Sequence, residues 1–116
     1  MKMLHVTIQT SKFEDELNFY TDNVGLKIIR DMRPLGQEMI FLADEEGDTE
    51  IEIIGKPDVV DSGNENLSIG FRTDDVETKH KELSDKGIAV SPMINPVPQV
   101  KFFFVKDPAG VNVQFM

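Results

Sequence analysis

Cysteine is absent from the chain, which excludes a disulfide framework, a thiolate zinc site and a cysteine nucleophile, and leaves nothing that requires an oxidising compartment. Apolar runs of membrane-spanning length are missing too. Met1 to Gln9 shows a short apolar alternation instead of the basic-then-apolar layout of a secretion signal, so the expected location is cytoplasmic, with no membrane partner. Positive charge is scarce: 12 Lys and Arg stand against 21 Asp and Glu, a net charge of -9 with no basic stripe. The field of such a protein opposes a phosphate backbone, and nucleic acid is not an expected partner. Histidine occurs only as His5 and His80, which limits any imidazole-based site from the outset.

What is present begins with size. The 116 residues, 40% of them hydrophobic, suffice for one domain with a real but small core, to which a second subunit would add stability. Laid on itself, the chain repeats. Leu4 to Thr10 and Leu67 to Thr73 both alternate as half-buried strands. Each runs into a helix that opens with a capping-box pattern, Ser11 with Glu14 and Asp74 with Glu77. Phe13, Leu17, Tyr20 and Val24 form the apolar face of the first helix; Val76, His80 and Leu83 form that of the second. Gly25 and Gly87 stand where helices should end, and Leu26 to Ile29 and Ile88 to Val90 read as strands. Gly36, beside Pro34, marks a tight turn. Phe41 to Gly47 then matches Phe104 to Gly110, a strand running into an Asp-led turn and a glycine, and final strands follow at Glu50 to Ile54 and Asn112 to Met116. The repeat unit is βαβββ. A linker rich in turn residues, Gly55 to Asn66 with Pro57, Ser62 and Gly63 inside it, separates the copies, giving modules 1–62 and 63–116 of a single domain. The segment Ser91 to Val100, holding Pro92, Pro96 and Pro98, reads as extended loop.

A tandem βαβββ chain with His5 on its first strand, Leu17-Asn18-Phe19-Tyr20 before Gly25-Leu26, and the terminal turn Asp107-Pro108-Ala109-Gly110 followed by Gln114 resembles the vicinal oxygen chelate superfamily. That superfamily holds glyoxalase I, fosfomycin-resistance enzymes, extradiol dioxygenases and bleomycin-resistance proteins, and the resemblance covers essentially the whole chain. It implies an α+β fold in which tandem βαβββ modules form curved mixed sheets around a cavity. In metal-dependent members the ligands come from the first and fourth strands of each unit, positions that correspond to His5, Glu52, Ser68 and Gln114. It further implies a homodimer, with His5 and Glu52 of one chain opposite Ser68 and Gln114 of the other, and it places Met39, Phe41, Phe102 and Phe104 on the cavity side.

The residues themselves weigh these implications. His5 and Glu52 differ in strand parity from their apolar neighbours, so both face away from the helix-packed side. Their imidazole and carboxylate suit one divalent ion of Ni, Zn, Mn or Fe with Gln114 as a weak third ligand, but a stable site takes three or four protein ligands and Ser68 adds little. The alternative for His5 and Glu52 is a hydrogen-bonding pair in a polar pocket. Arg72 shares parity with Ser68 and is a candidate clamp for a substrate carboxylate or phosphate, or else a surface ion pair. The run Phe102-Phe103-Phe104 must split its rings between two faces. His80 reads as a packed helix residue and Asp107 to Gly110 as turn structure.

The favoured reading is a small-molecule-binding protein with a degenerate metal site, in which Ser68, Arg72, Met39, Phe41, Phe102 and Phe104 contact the ligand. Sequestration of a toxic or antibiotic molecule is one version. A second reading is a metal-dependent glyoxalase-like lyase of the lactoylglutathione lyase type, using His5, Glu52 and Gln114 with Glu52 as base. A third is a metal-free enzyme with Glu52 as general acid or base beside His5. A structural or regulatory protein that kept the fold for protein contacts is the rival from another class.

Overall fold

The computed structural model describes residues 1–62 and 64–116; Gly63, the first residue of the expected second module, lies outside them. The chain divides into two compact units, Met1–Asp61 and Ser62–Met116. The first runs β1 (His5–Thr10), α1 (Phe13–Phe19), β2 (Lys27–Asp31), β3 (Met39–Ala43) and β4 (Glu50–Gly55), and the second runs β5 (Ser68–Phe71), α2 (Val76–Asp85), β6 (Ile94–Val97), β7 (Val100–Lys106) and β8 (Asn112–Phe115). Each unit is therefore βαβββ, and each folds into a four-stranded mixed sheet with the same order: β1-β4-β3-β2 and β5-β8-β7-β6. The first and last strands of each unit pair in parallel, and the others pair antiparallel. Together they make an α+β fold.

In the first unit α1 lies against β4. Phe13, Leu17 and Tyr20 from the helical segment join Ile8, Ile40, Leu42, Ile51 and Ile53 from one face of the sheet in a buried core. In the second unit Leu83 of α2 is buried, as are Phe103, Val105, Val113 and Phe115 from the sheet face. Phe103 stacks on Phe115 at 5.3 Å between centroids and meets the His80 ring edge-on at 4.8 Å. His80 Nε2 also lies 2.8 Å from the Ser91 carbonyl, which accounts for that histidine as a packed helix residue.

Local pattern fails in three places. The first is the start of α1, where Lys12 occupies the N-cap position and no side chain caps the helix. Ser11 instead gives its hydroxyl and its amide to Asp61, which also accepts from Thr10 Oγ1 at 2.5 Å. A carboxylate 50 residues away thus outcompetes the local cap. The second is α2, capped by Asp75, whose side chain accepts from the Thr78 amide at 3.0 Å. The amide of Thr73 still bonds to Met116 O at 2.6 Å, so the chain stays tied to the sheet too long for Asp74 to start the helix. The third is the strand expected at Ile88 to Val90, of which only an isolated bridge from Val90 to Val105 remains. The partner of β7 is β6, inside the segment read as loop. Its one proline, Pro96, is tolerable because β6 is an edge strand, where a missing amide donor leaves no ladder position empty.

Two backbone features complete the frame. After Phe19 the helix widens into a π-turn, Tyr20–Val24, closed by Gly25 at φ +82°, a left-handed conformation that costs glycine little. In β2 the pairing with β3 slips between Ile28 and Arg30. Such a bulge re-aims the side chain that follows it.

Candidate functional site

The sheet register of the first unit assembles the site. β4 is a central strand, so Ile51 and Ile53 turn to the core while Glu50 and Glu52 alternate onto the opposite face. His5 pairs with Glu50 and Thr7 with Glu52 on one side; Phe41 pairs with Glu52 on the other, and Arg30 with Phe41 beyond it. Thr7, Glu52, Phe41 and Arg30 therefore form one row across four strands. Without the β2 bulge, strict alternation would have turned Arg30 to the other face.

The row is connected. The Thr7 hydroxyl donates to Glu52 Oε1 at 2.5 Å, and His5 Nε2 stands 3.6 Å from the same oxygen. The His5 ring meets Phe41 edge-on at 6.1 Å. The Arg30 guanidinium lies 4.1 Å above the Phe41 ring and donates from Nη2 to Glu50 Oε1 at 2.8 Å. Glu50 and Glu52 are both buried, with side-chain exposures of 11% and 12%. A carboxylate so withdrawn from water needs compensation. Glu50 obtains it from an ion pair, Glu52 from a hydroxyl and a neighbouring imidazole.

His5, Glu52 and Phe41 thus come together as the sequence suggests, and Met39, paired with Ile54, shares the half-buried surface of β3. Thr7, Arg30 and Glu50 were not singled out from the sequence. Thr7 follows the same parity as His5 and was legible by that rule. Arg30 was not, because a bulge leaves no periodic trace.

The second unit holds the remaining candidates. Gln114 pairs with Gly70 on one side and Phe104 on the other, and Ser68 pairs with Asn112. Phe102 and Phe104 are half-buried with their rings edge-on at 5.7 Å, while Phe103 is fully buried on the other face. The three rings split as strand parity requires. Arg72 follows the last residue of β5 and is exposed. It lines an open depression of about 340 Å³ with Thr73, Asp74, Val76, Pro98 and Lys101, a set without Ser68, Gln114 or either aromatic.

As a metal centre the first unit offers one imidazole and one carboxylate. Among the described residues no three His, Cys, Asp or Glu side chains converge on one point. Two strong donors, one already bonded to a hydroxyl, fall short of the three or four that a stable site takes, so these residues do not fit a complete metal shell. No helix among the described residues is long and apolar enough to cross a membrane.

Comparison with known proteins places this geometry. The sequence profile of the Glyoxalase/Bleomycin resistance protein/Dioxygenase superfamily matches residues 2–115. No functionally curated protein matches the chain. Among solved structures, the trypanothione-dependent glyoxalase I of Leishmania major is similar with a TM-score of 0.78 at 20% identity, over 100% of this chain and 86% of that one. The antibiotic-binding protein TnmS3 of a Streptomyces species is similar with a TM-score of 0.77 at 22% identity, over 99% and 93%. Lactoylglutathione lyase of Agrobacterium tumefaciens is similar with a TM-score of 0.72 at 17% identity, over 97% and 90%. Identities this low speak for the fold alone.

Proposed function

We propose, from the premise that the chain belongs to the Glyoxalase/Bleomycin resistance protein/Dioxygenase superfamily, that it binds a small organic molecule without an obligatory metal ion. In the first unit, taken by itself, the proposed contacts are His5, Glu52, Met39 and Phe41; in the second, taken by itself, they are Ser68, Arg72, Gln114, Phe102 and Phe104. The observation that carries this reading is the state of Glu52: its carboxylate accepts from Thr7 at 2.5 Å and faces His5 at 3.6 Å beside an aromatic ring. A few oriented polar groups among apolar walls are what small-molecule sites are made of. The protein acts in the cytoplasm as a homodimer in this proposal, and light scattering at micromolar concentration tests the second point: a monomer would remove it.

Metal content of the purified, untagged protein, followed by titration of the stripped protein with Ni, Zn, Mn and Fe, tests the main reading. The expected result is no stoichiometric ion and no tight binding. A near-stoichiometric ion whose affinity disappears in His5→Ala would overturn it in favour of a metal-dependent lyase of the lactoylglutathione lyase type.

A second reading rests on the same hydrogen bond. A carboxylate held by Thr7 in one orientation is positioned to take or give a proton at Glu52, so the bound molecule is also turned over without a metal. Glu52→Gln would then abolish turnover and spare binding, whereas equal loss of both counts against it.

A further inference from the structure

The two units place different chemistry at equivalent points of the same sheet. His5 pairs with Glu50 and Thr7 with Glu52 between β1 and β4, as Ser68 pairs with Asn112 and Gly70 with Gln114 between β5 and β8. Across the next ladder Phe41 faces Glu52 as Phe104 faces Gln114. Position for position, Glu52 corresponds to Gln114, Glu50 to Asn112, His5 to Ser68 and Thr7 to Gly70. The first unit presents an ionisable set, and the second presents amides and a hydroxyl.

The contrast extends to how each central group is held. Glu52 is capped by the Thr7 hydroxyl. Gly70 has no side chain to do the same, and a Cβ placed there would stand 3.4 Å from Gln114 Oε1, within ordinary contact distance. The Gln114 amide oxygen thus lies over the bare Gly70 backbone, where the strand partner has no side-chain donor to give it. Asn112, by contrast, is committed, its Nδ2 donating to the Glu65 carbonyl at 2.6 Å. Phe104 pairs with Gln114 on the neighbouring strand, and its half-buried ring meets that of Phe102 edge-on. The row Gly70, Gln114, Phe104 carries no charge; Lys106, across from Asn112, is exposed in the row beyond.

We propose that Gln114, Phe102 and Phe104 form the subsite that selects the ligand's chemical class: a neutral, planar group bearing a carbonyl and an adjacent N–H, that is, a carboxamide or lactam on an aromatic frame. The inference rests on the small-molecule reading above and names the group that a ligand of the second unit presents to Gln114. A primary amide offers one acceptor oxygen and two donor hydrogens, which match another amide. An anionic ligand finds no cation in the Gln114 row and enters the field of a protein with net charge -9. A purely apolar ligand buries the Gln114 amide without partners, a loss that hydrogen-bonding sites turn into discrimination.

Three fluorescent probes on one naphthalene frame test this on the intact protein: 1-naphthamide, 1-naphthoate and 1-methylnaphthalene, titrated by fluorescence. 1-Naphthamide is expected to bind about 10-fold tighter than either of the others, one hydrogen-bonded match. Gln114→Leu, and Gln114→Met as a variant of similar length, should remove that advantage by weakening 1-naphthamide and tightening 1-methylnaphthalene; Phe104→Ala should weaken all probes that bind. 1-Naphthoate or 1-methylnaphthalene binding as tightly as 1-naphthamide to the unmodified protein would overturn the subsite and leave the small-molecule reading standing. So would an amide advantage that survives in folded Gln114 variants. No binding of any probe to the unmodified protein up to millimolar concentration would overturn both.

Discussion

At the scale of single residues, Thr7 determines the state of Glu52. Its hydroxyl is the short donor to a carboxylate with 12% side-chain exposure, and valine has the same shape without the donor. Thr7→Val should therefore lower unfolding free energy by about 1 kcal/mol, since an acceptor withdrawn from water loses its partner. Urea denaturation at pH 7 measures it. An unchanged midpoint with an unchanged slope would mean that water replaces the hydroxyl at no cost. Alternation alone put His5 and Glu52 on the side away from the core, because that inference needs only the period of a strand. What Thr7, Arg30 and Glu50 contribute comes from partners 45, 11 and 20 residues away: the carboxylate of Glu52, the ring of Phe41 and the guanidinium of Arg30. Such pairings depend on strand register and on one bulge, and neither is written in local pattern.

At the scale of elements, the two helix starts show how a correct element can carry an incorrect cap. Ser11-x-x-Glu14 and Asp74-x-x-Glu77 are both valid capping sequences, and both helices form next to them. Asp75 does the capping in α2, and the Thr78 amide it binds holds its carboxyl below the usual carboxylate range. Asp75→Ala should lower the melting temperature by a few degrees, and Asp74→Ala by less. Equal effects would return the cap to Asp74. The corresponding tie in the first unit is Asp61, which binds Thr10 and Ser11 and so fastens the segment after β4 to the junction of β1 and α1. Loss of water around Asp61 pulls its pKa up, but the hydrogen bonds from the Ser11 side chain, the Thr10 side chain and the Ser11 amide, with Lys12 nearby, outweigh it and hold the carboxyl below the usual carboxylate range. A carboxyl depressed in the folded state adds stability above its unfolded pKa and loses it as pH falls through the folded value. Asp61→Asn should thus cost roughly 1 kcal/mol at pH 7, with the difference from the unmodified protein shrinking as pH drops below about 4. Denaturation at pH 7 and at pH 2.5 decides, and a constant difference would show that the carboxylate's charge contributes nothing. The edge strand β6 belongs to the same lesson. Pro92, Pro96 and Pro98 argued for an extended loop, yet Pro96 sits inside β6; whether a proline-bearing segment lies at an edge depends on sheet order, which the sequence states only through its repeat.

At the scale of the whole molecule, charge is the dominant feature that composition made legible. With 21 acidic and 12 basic residues, the folded state gathers an excess of negative charge that the unfolded chain can spread apart. Local ion pairs oppose this. Lys27–Glu45, Lys81–Asp85 and Lys86–Glu82 hold exposed partners on both sides, and pairs of that kind contribute little to stability. Arg30–Glu50 is better placed because Glu50 is buried, and burial weakens the screening of such a pair by salt. Added salt should therefore remove more repulsion than attraction. It shortens the Debye length from about 30 Å at 0.01 M to about 3 Å at 1 M, which silences the long-range self-repulsion while contact pairs such as Lys27–Glu45 at 2.7 Å keep part of their energy. The melting temperature is expected to rise by several degrees between 20 mM and 500 mM sodium chloride. A fall over that range would mean that ion pairs of this kind stabilise the fold more than the excess charge destabilises it.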